Sequence, residues 1–571
     1  MLRVTRSDPV YMAHAYLTKV PVAAIVPFIE AFTEPGHVVL DPFAGSGMTG
    51  VASLVTGRRA RLFDVSVLGR HIGANYVSLV DAGEFRELGE AVERQARERI
   101  GDVYAVACAA CGAQAQLAKT VWSSVIECGG CRGPINYYGA LEDAAWRRER
   151  MTCPNCGAAV SSRDLKLREE PVIDSIRCEC SPTQIEQRWS VPPHPPDAEG
   201  LRWPDSAIDE TRQMYAASAL GRHGLTSTAA FYSHRNVCAL AALRDAIEGV
   251  GERQLRSKLL FAFTAILTRA SKRYQWSRQR PLNAANANYY VAPVFYEWNV
   301  FDLFARKVKA AARSDEWIKR TRGAAAVYDS VRGPDVRYEI ASADRLPLPD
   351  DSVDYVFTDP PFGSNIFYSD MNLFQEAWLD DTTDPATEAV VDRADIGGPR
   401  RTAQRYEAIL TEAFKECRRV LKPGGLMTVL FGNSSGAMWQ LLQRSIAAAG
   451  LEVVPELIVV LDKGQRSVKG LASGFENVAT LDLMLTLRPA SGLSEALQTP
   501  PDGAVGSLVD SLLASDSAIS PSGLYVTLLR HGMANRWDLS RIDLRKVTER
   551  LRDAELTIDR RSALVVRSAE N

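Results

Sequence analysis

Two stretches far apart in the chain each run an apolar strand into an Asp-Pro turn: Val38-Val-Leu-Asp41-Pro42-Phe43-Ala44-Gly45-Ser-Gly47-Met-Thr49 and Tyr355-Val-Phe-Thr-Asp359-Pro360-Pro361-Phe362-Gly363. Short apolar runs that stop at such turns read as buried strands of an open α/β sheet. Ala60-Arg-Leu-Phe63-Asp64 reads as a second strand closed by an acid, and Ile340-Ala-Ser342-Ala-Asp344 as the end of a third. Asp41 and Asp359 are 318 positions apart. Most of that distance is therefore an insert between the second and third strands, running roughly from Gly83 to Val327. Val420 to Phe431 and Val478 to Leu487 supply the later strands.

The two turns differ in chemistry. In the first, Gly45 and Gly47 let the backbone turn tightly and approach a ligand, and the helix that opens at Met48 favours an anion at its N-terminus. Neither the Gly-Lys-Ser/Thr of a phosphate loop nor the glycine spacing of a dinucleotide site is present, so a carboxylate suits it as the anion. Asp64 stands where an open α/β sheet places a group to hold ribose hydroxyls. In the second turn two prolines remove two backbone donors and leave carbonyls free to accept. With the Asp359 carboxylate and the Phe362 ring they suit a flat ring carrying an exocyclic amine, as an extruded nucleobase does.

Eight of the ten cysteines fall in close pairs. Cys108-x-x-Cys111 with Cys128-x-x-Cys131 has zinc-knuckle spacing, and Cys153-x-x-Cys156 with Cys178-x-Cys180 repeats the plan. Each set is expected to fill one closed tetrahedral shell, giving two structural zinc ions in tandem ribbons. Cys238 and Cys417 read as buried small hydrophobes.

With 67 basic against 69 acidic residues the chain is no polycation, so contacts to nucleic acid must come from local patches. One stretch has that composition: Lys272, Arg273, Tyr274, Trp276, Arg278 and Arg280 interleave cations with rings and precede Asn283, Asn286 and Asn288. Tyr11 to Phe32 reads as helical, with a His14-x-Tyr16-x-x-Lys19-x-Pro21 lead, and Glu210 to Arg269 as a helical region after a Pro-rich linker at Val191 to Pro196. Arg530, His531, Arg536, Arg541 and Arg545 read as a solvated helical surface near the end. No apolar run reaches the ~18 residues of a membrane span, and the N-terminus lacks a signal-peptide pattern, so a cytoplasmic protein is expected.

The Asp-Pro-Phe-Ala-Gly-Ser-Gly loop with a distant Asp-Pro-Pro-Phe resembles the S-adenosylmethionine-dependent amino-methyltransferases of DNA, and with the cysteine region it is similar to bacterial adenine-specific DNA methylases carrying a zinc-ribbon insert. The resemblance implies that Asp41, Pro42, Phe43, Ala44, Gly45 and Gly47 surround the methionine part of the cofactor. It assigns Asp64 to the ribose, Asp344 to the adenine, and Asp359, Pro360, Pro361 and Phe362 to the target amine. The expected architecture is a Rossmann-like methyltransferase core in two parts, 1–82 and 328–489. Tandem ribbons at 83–205, a helical target-recognition region at 206–327 and a small C-terminal module at 490–571 complete it. Implied partners are double-stranded DNA and further defence or restriction subunits. An RNA amino-methyltransferase, or a zinc-ribbon DNA-binding subunit with a vestigial core, are the alternatives.

Overall fold

The computed structural model describes residues 1–5, 7–189, 196–218, 220–278, 289–322, 336–363, 366–393, 400–464, 479–492, 496–501, 503–515, 519–553, 556–558 and 565–567. Its main sheet contains β1 (Val38–Asp41), β2 (Arg59–Asp64), β3 (Val336–Ile340), β4 (Val353–Thr358), β5 (Leu421–Phe431), β6 (Val459–Asp462) and β7 (Leu481–Pro489). The spatial order is β3-β2-β1-β4-β5-β7-β6, and Leu2–Arg3 adds a short strand outside β6. Neighbours are parallel from β3 to β5, whereas β7 runs antiparallel to both β5 and β6. This is the expected α/β class.

The order reverses between β1 and β4. Chain growth moves outward from β1 to β3 and then returns to the other side of β1, which opens a crevice at the carboxyl ends of the two central strands. Val39 lies opposite Tyr355 and Leu40 opposite Val356, so the turns after Asp41 and Thr358 emerge side by side. Both strands are almost wholly apolar and buried, as a sheet covered on two faces requires.

After helix Val67–Val77, which packs against the glycine turn, the chain leaves the core until β3. Helix Ala82–Ile100 starts where Asp81 accepts hydrogen bonds from the backbone of Gly83 and Glu84, and it stops at Gly101 with φ of 74°. A second sheet follows, built on the long antiparallel pair Gln114–Glu127 and Lys166–Arg177. Val294–Trp298 then returns, from beyond the helices His234–Glu248 and Arg253–Ala270, to pair with Gln114–Glu127. The two ribbons are thus one sheet, and the helical region closes onto it.

The insert is keyed to the core through buried polar contacts. Lys258 donates to Asp315 at 2.8 Å and to the carbonyl of Asn75, and both ionic side chains are 1% exposed. His14 Nε2 lies 3.0 Å from Thr264 Oγ1. The expected helix from Tyr11 to Phe32 is two helices, Pro9–Ala13 and Val22–Phe32. Pro21 caps the second helix and disfavours helix just before it, and in the break the buried Lys19 ammonium donates to the carbonyls of Val10, Tyr11 and His14. The C-terminal piece packs on the core, with the backbone N–H of Gly436 bonding Asp543 Oδ1 at 2.8 Å and Leu524, Leu528 and Leu539 sharing a hydrophobic cluster with β5 and β7. Among the described residues, no helix is long and apolar enough to cross a membrane.

Candidate active site

A pocket occupies the crevice at the switch point, with about 930 Å³ of empty space when counted out into open solvent. Its floor is the turn after β1. Asp41, Pro42, Phe43, Ala44, Gly45, Ser46, Met48 and Thr49 line it, with Asp64 from the end of β2 and Ala341 to Ala343 from beyond β3. Asp359 and Pro361 from the second turn form the opposite wall. The two turns are tied directly: Asp41 accepts from Thr49 Oγ1 at 2.6 Å on one oxygen and from Thr358 Oγ1 at 2.9 Å on the other. Asp64 accepts from the backbone N–H of Gly45 at 2.8 Å and of Ser66 at 2.9 Å, which fixes the glycine turn against β2.

Burial governs the acids. It pushes Asp41 up to about 7 in spite of its three hydrogen bonds, and it raises Asp64 also. Asp359 is held well above the usual carboxylate range by burial first, with Lys463 opposing and Asp482 and Asp41 adding to the rise. Its Oδ1 is shut off from solvent and has no hydrogen-bond partner among the described residues. Such an oxygen costs roughly 1 to 3 kcal/mol to leave unsatisfied. A donor entering the pocket relieves that cost.

Several expected site residues stand elsewhere. Gly47 does not line the pocket: it has φ of 75°, and a Cβ there would lie 2.6 Å from the Cα of Gly73. Its glycine is needed because helix Val67–Val77 crosses it, rather than because a ligand does. Asp344 is exposed and not on the pocket wall, which at that strand end consists of Ala341, Ser342 and Ala343. Pro360 and Phe362 also lie off the wall. The Phe362 ring meets Phe431 edge-on at 5.0 Å, and its carbonyl accepts from Asn433 at 2.7 Å. The Pro361 carbonyl accepts from Tyr406 at 2.6 Å, so both hydrogen bonds pin the second turn.

Other residues join the wall without having been expected there. Tyr16 and Tyr368 face each other in near-parallel planes at 6.2 Å, and the Tyr368 hydroxyl lies 3.0 Å from Thr18 Oγ1. Glu388 is pushed up to about 7 by burial and accepts from Ser369 and Arg401. Tyr16 belongs to the His14-x-Tyr16-x-x-Lys19 lead and was legible as a pattern, whereas Tyr368 and Glu388 lie in a stretch without a motif.

The eight paired cysteines form two groups of four, but not the expected ones. Cys108 and Cys111 meet Cys178 and Cys180, and Cys128 and Cys131 meet Cys153 and Cys156, with all four sulfurs of each group within 4.8 Å. The cause is strand pairing. Gln116 lies opposite Arg177 and Ile126 opposite Lys166, so the first and last cysteine pairs share one end of the sheet and the middle two share the other. Backbone N–H groups of Cys131 and Gly130 draw the Cys128 thiol down to about 6, toward the thiolate that a metal needs.

The basic-aromatic stretch is mostly interior. Arg273 is 2% exposed with its guanidinium 5.0 Å from the Phe374 ring centre, and Tyr274 packs edge-on against Trp298. Lys272 is committed to Glu169 at 2.9 Å. These three side chains are turned inward instead of toward an outside partner: Arg273 packs on Phe374 of the core, whereas Lys272 and Tyr274 are held within the insert by Glu169 and Trp298. Trp276 is half-buried and Arg278 is exposed; Arg280, the three asparagines and residues 191–195 of the Pro-rich linker lie outside the described residues.

Comparison with known proteins bears on the first half of the pocket. Residues 4–81 match the family model N6_N4_Mtase, described as DNA methylase. An Escherichia coli protein named as a methylase, YubD, is 60% identical over 42 residues, which cover 7% of this chain and 18% of that relative. A Haloferax volcanii methyltransferase solved with its activator is 15% identical over 29% of this chain and 66% of its own, at a TM-score of 0.16. Geranyl diphosphate C-methyltransferase from Streptomyces coelicolor is 12% identical over 31% of this chain and 61% of its own, also at 0.16. The matched segment is the one that supplies Tyr16, the glycine turn and Asp64 to the pocket, and it is similar in sequence to the family described as DNA methylase.

Proposed function

We propose that this chain transfers a methyl group from S-adenosylmethionine to the exocyclic N6 amine of adenine in DNA. The observation that carries the reading is the orphaned Asp359 Oδ1, an acceptor held ready in the same pocket as the glycine turn. The pocket suits the cofactor: Asp41 and Asp64 offer acceptors for its ammonium and hydroxyl groups, and the walls carry no Lys-bearing phosphate loop, which a cofactor without phosphate does not need. When bound, S-adenosylmethionine supplies an electrophilic methyl group on a sulfonium.

Asp359 does the orienting. In its ionised form its Oδ1 would accept a hydrogen bond from the target amine, draw the nitrogen lone pair out of conjugation, stabilise the positive charge that develops on nitrogen, and take up the proton that the methylated amine releases. Tyr406 and Asn433 hold the Pro361 and Phe362 carbonyls, so the acid sits on a rigid turn. A base must leave the duplex to reach so enclosed an oxygen, at a cost of a few kcal/mol. Adenine is preferred over cytosine because the turn opens with Asp rather than Ser. The two four-cysteine groups hold structural zinc, with a closed shell and no open position for chemistry.

The test separates binding from turnover. Asp359→Ala should leave cofactor affinity within a few-fold of the parent by calorimetry, while methyl transfer to adenine in DNA falls by at least about 10²-fold. Transfer at near-parental rate would sink the assignment of the second turn. Methylation of RNA but not DNA by the parent would keep the chemistry and move the substrate.

A further inference from the structure

The ribbon sheet carries a second arrangement that the pocket does not use. Lys119 lies opposite Trp298 in the sheet register, and Val121 opposite Tyr296, so Lys119, Tyr296 and Trp298 share one face. On the far side of the Val294–Trp298 strand, Gln275 bridges Phe295. The backbone N–H of Trp276 bonds the Val294 carbonyl, and that of Tyr296 bonds the Tyr274 carbonyl, which brings Tyr274 and Trp276 to the same face as Tyr296. The result is a bed of rings. Tyr274 and Tyr296 each meet Trp298 at 5.6 Å, and Trp276 meets Tyr138 and Trp146 at 5.4 Å each.

Cations rest on this bed. Arg269 lies 4.3 Å from the Trp298 ring centre and 5.0 Å from that of Tyr274. Lys119 is 4.7 Å from Tyr296, Arg306 is 6.0 Å from Trp298, and Arg278 is 5.4 Å from Trp146. Among the described residues none of the four cations is in an ion pair. Two donors, Arg269 Nε and Trp298 Nε1, are buried without a hydrogen-bond partner among the described residues. Glu186 acts on Lys119 and Tyr296 as the opposing charge, while Asp302 beside Arg306 is taken by Arg177 at 2.7 Å. A cation held by a ring keeps its charge for an outside anion.

From this geometry we infer that Lys119, Arg269, Arg306 and Arg278 form a docking stripe for the phosphate backbone of duplex DNA, an inference that rests on the DNA reading above. Length argues for a polyanion. The strand between the Val294 and Trp298 ends of the stripe spans about 13 Å, or roughly four base-pair steps at ~3.4 Å each, which a single small anion would not fill. Burial argues for duplex over single strand: Tyr274, Tyr296 and Trp298 are 5% to 8% exposed, so they cannot stack on free bases as single-strand binders require. The stripe is also near the pocket. Arg269 is five helical residues, about 7.5 Å of rise, from Thr264. Thr264 bonds His14, two positions from Tyr16 of the pocket wall.

The test uses the full chain with its metal. The variant Lys119→Gln/Arg278→Gln/Arg306→Gln removes the three more accessible charges, and binding of a mixed-sequence DNA duplex of about three helical turns is followed by fluorescence anisotropy across a salt series. Affinity should fall roughly tenfold or more, and the dependence on log salt should flatten by about one unit per charge removed. Cofactor affinity and metal content should be unchanged, which excludes misfolding. The single charge reversal Arg306→Glu, on an exposed side chain, provides a second reading should the triple variant fail to fold. An unchanged salt slope with DNA methylation intact in the parent would overturn the stripe and leave the functional reading standing. Weakened binding in the variant, with a parent that methylates no DNA, would support the stripe and sink the functional reading. A parent that binds duplex RNA but not DNA would overturn the choice of partner.

Discussion

The pocket at the ends of β1 and β4 gathers four carboxylates, Asp41, Asp64, Asp359 and Glu388, and burial raises all of them. The face of the ribbon sheet gathers four cations, and aromatic rings rather than acids hold them. One region therefore gathers acceptors and the other cations. They differ also in what keeps them in shape. The pocket is braced by hydrogen bonds between neighbouring turns of one parallel sheet, while the ribbon sheet is clamped at its two ends by groups of four sulfurs. On the proposed reading, opposite charge in two regions of one chain would let a nearly neutral protein address a cationic cofactor and an anionic polymer separately.

The largest expected effect tests the clamps. Structural zinc contributes about 10 to 16 kcal/mol in comparable peptides, so each four-sulfur group should decide the order of its own end of the sheet. Cys111→Ser/Cys180→Ser should release one of two metal ions by elemental analysis, and Cys131→Ser/Cys156→Ser the other. Cys111→Ser/Cys131→Ser should release both. Loss of a single ion in that last variant would restore the sequential pairing and break the comparison at its base.

Next in size is the joint between the two regions. Lys258 and Asp315 are fully buried partners, and removing one leaves an uncompensated charge. Lys258→Met should cost about 3 to 5 kcal/mol of stability in denaturant unfolding. A change below about 1 kcal/mol would mean that this buried pair does not carry the joint.

Glycine substitutions sharpen the pocket side. Gly47→Ala places a Cβ 2.6 Å from a backbone atom of Gly73, which a side-chain shift does not relieve. At Gly45, with φ of 47°, the nearest atom is the Tyr16 ring at 3.1 Å. Gly47→Ala should therefore lower thermal stability more than Gly45→Ala. Gly45→Val, which fills the pocket itself, should abolish cofactor binding by calorimetry. Equal stability of the two alanine variants would return Gly47 to the ligand's side.

The smallest effect is one of pH. Asp41 holds its proton in the fold to about 7 against an ordinary value of 3.8. Between those limits the native state binds a proton that the unfolded chain has lost, so this group's contribution to stability is full below pH about 4 and falls as pH rises toward about 7. A cationic cofactor favours the ionised acid, so its affinity should rise over the same interval. Denaturation at pH 5 and pH 8, with and without the cofactor, checks both signs. Affinity independent of pH would remove Asp41 from the cofactor's surroundings.

Local sequence determined the parts whose chemistry is contiguous. The strand-to-turn motifs at Asp41 and Asp359, the acid closing β2, the eight cysteines that gather in two groups of four and the position of the insert between β2 and β3 were all legible, because each depends on short stretches of sequence. Tertiary structure alone decided what meets what. The register of Gln114–Glu127 on Lys166–Arg177 chose which cysteines come together, and the crossing of Val67–Val77 gave Gly47 a packing contact with Gly73. Helix Tyr368–Glu376 drew Arg273 inward onto Phe374, and the return of the chain after β4 brought Tyr368 and Glu388 to the pocket wall. The physical reason is common to all four: side-chain type is a property of one position, whereas burial and neighbourhood are set by strand pairing and helix crossing between segments that are distant in sequence.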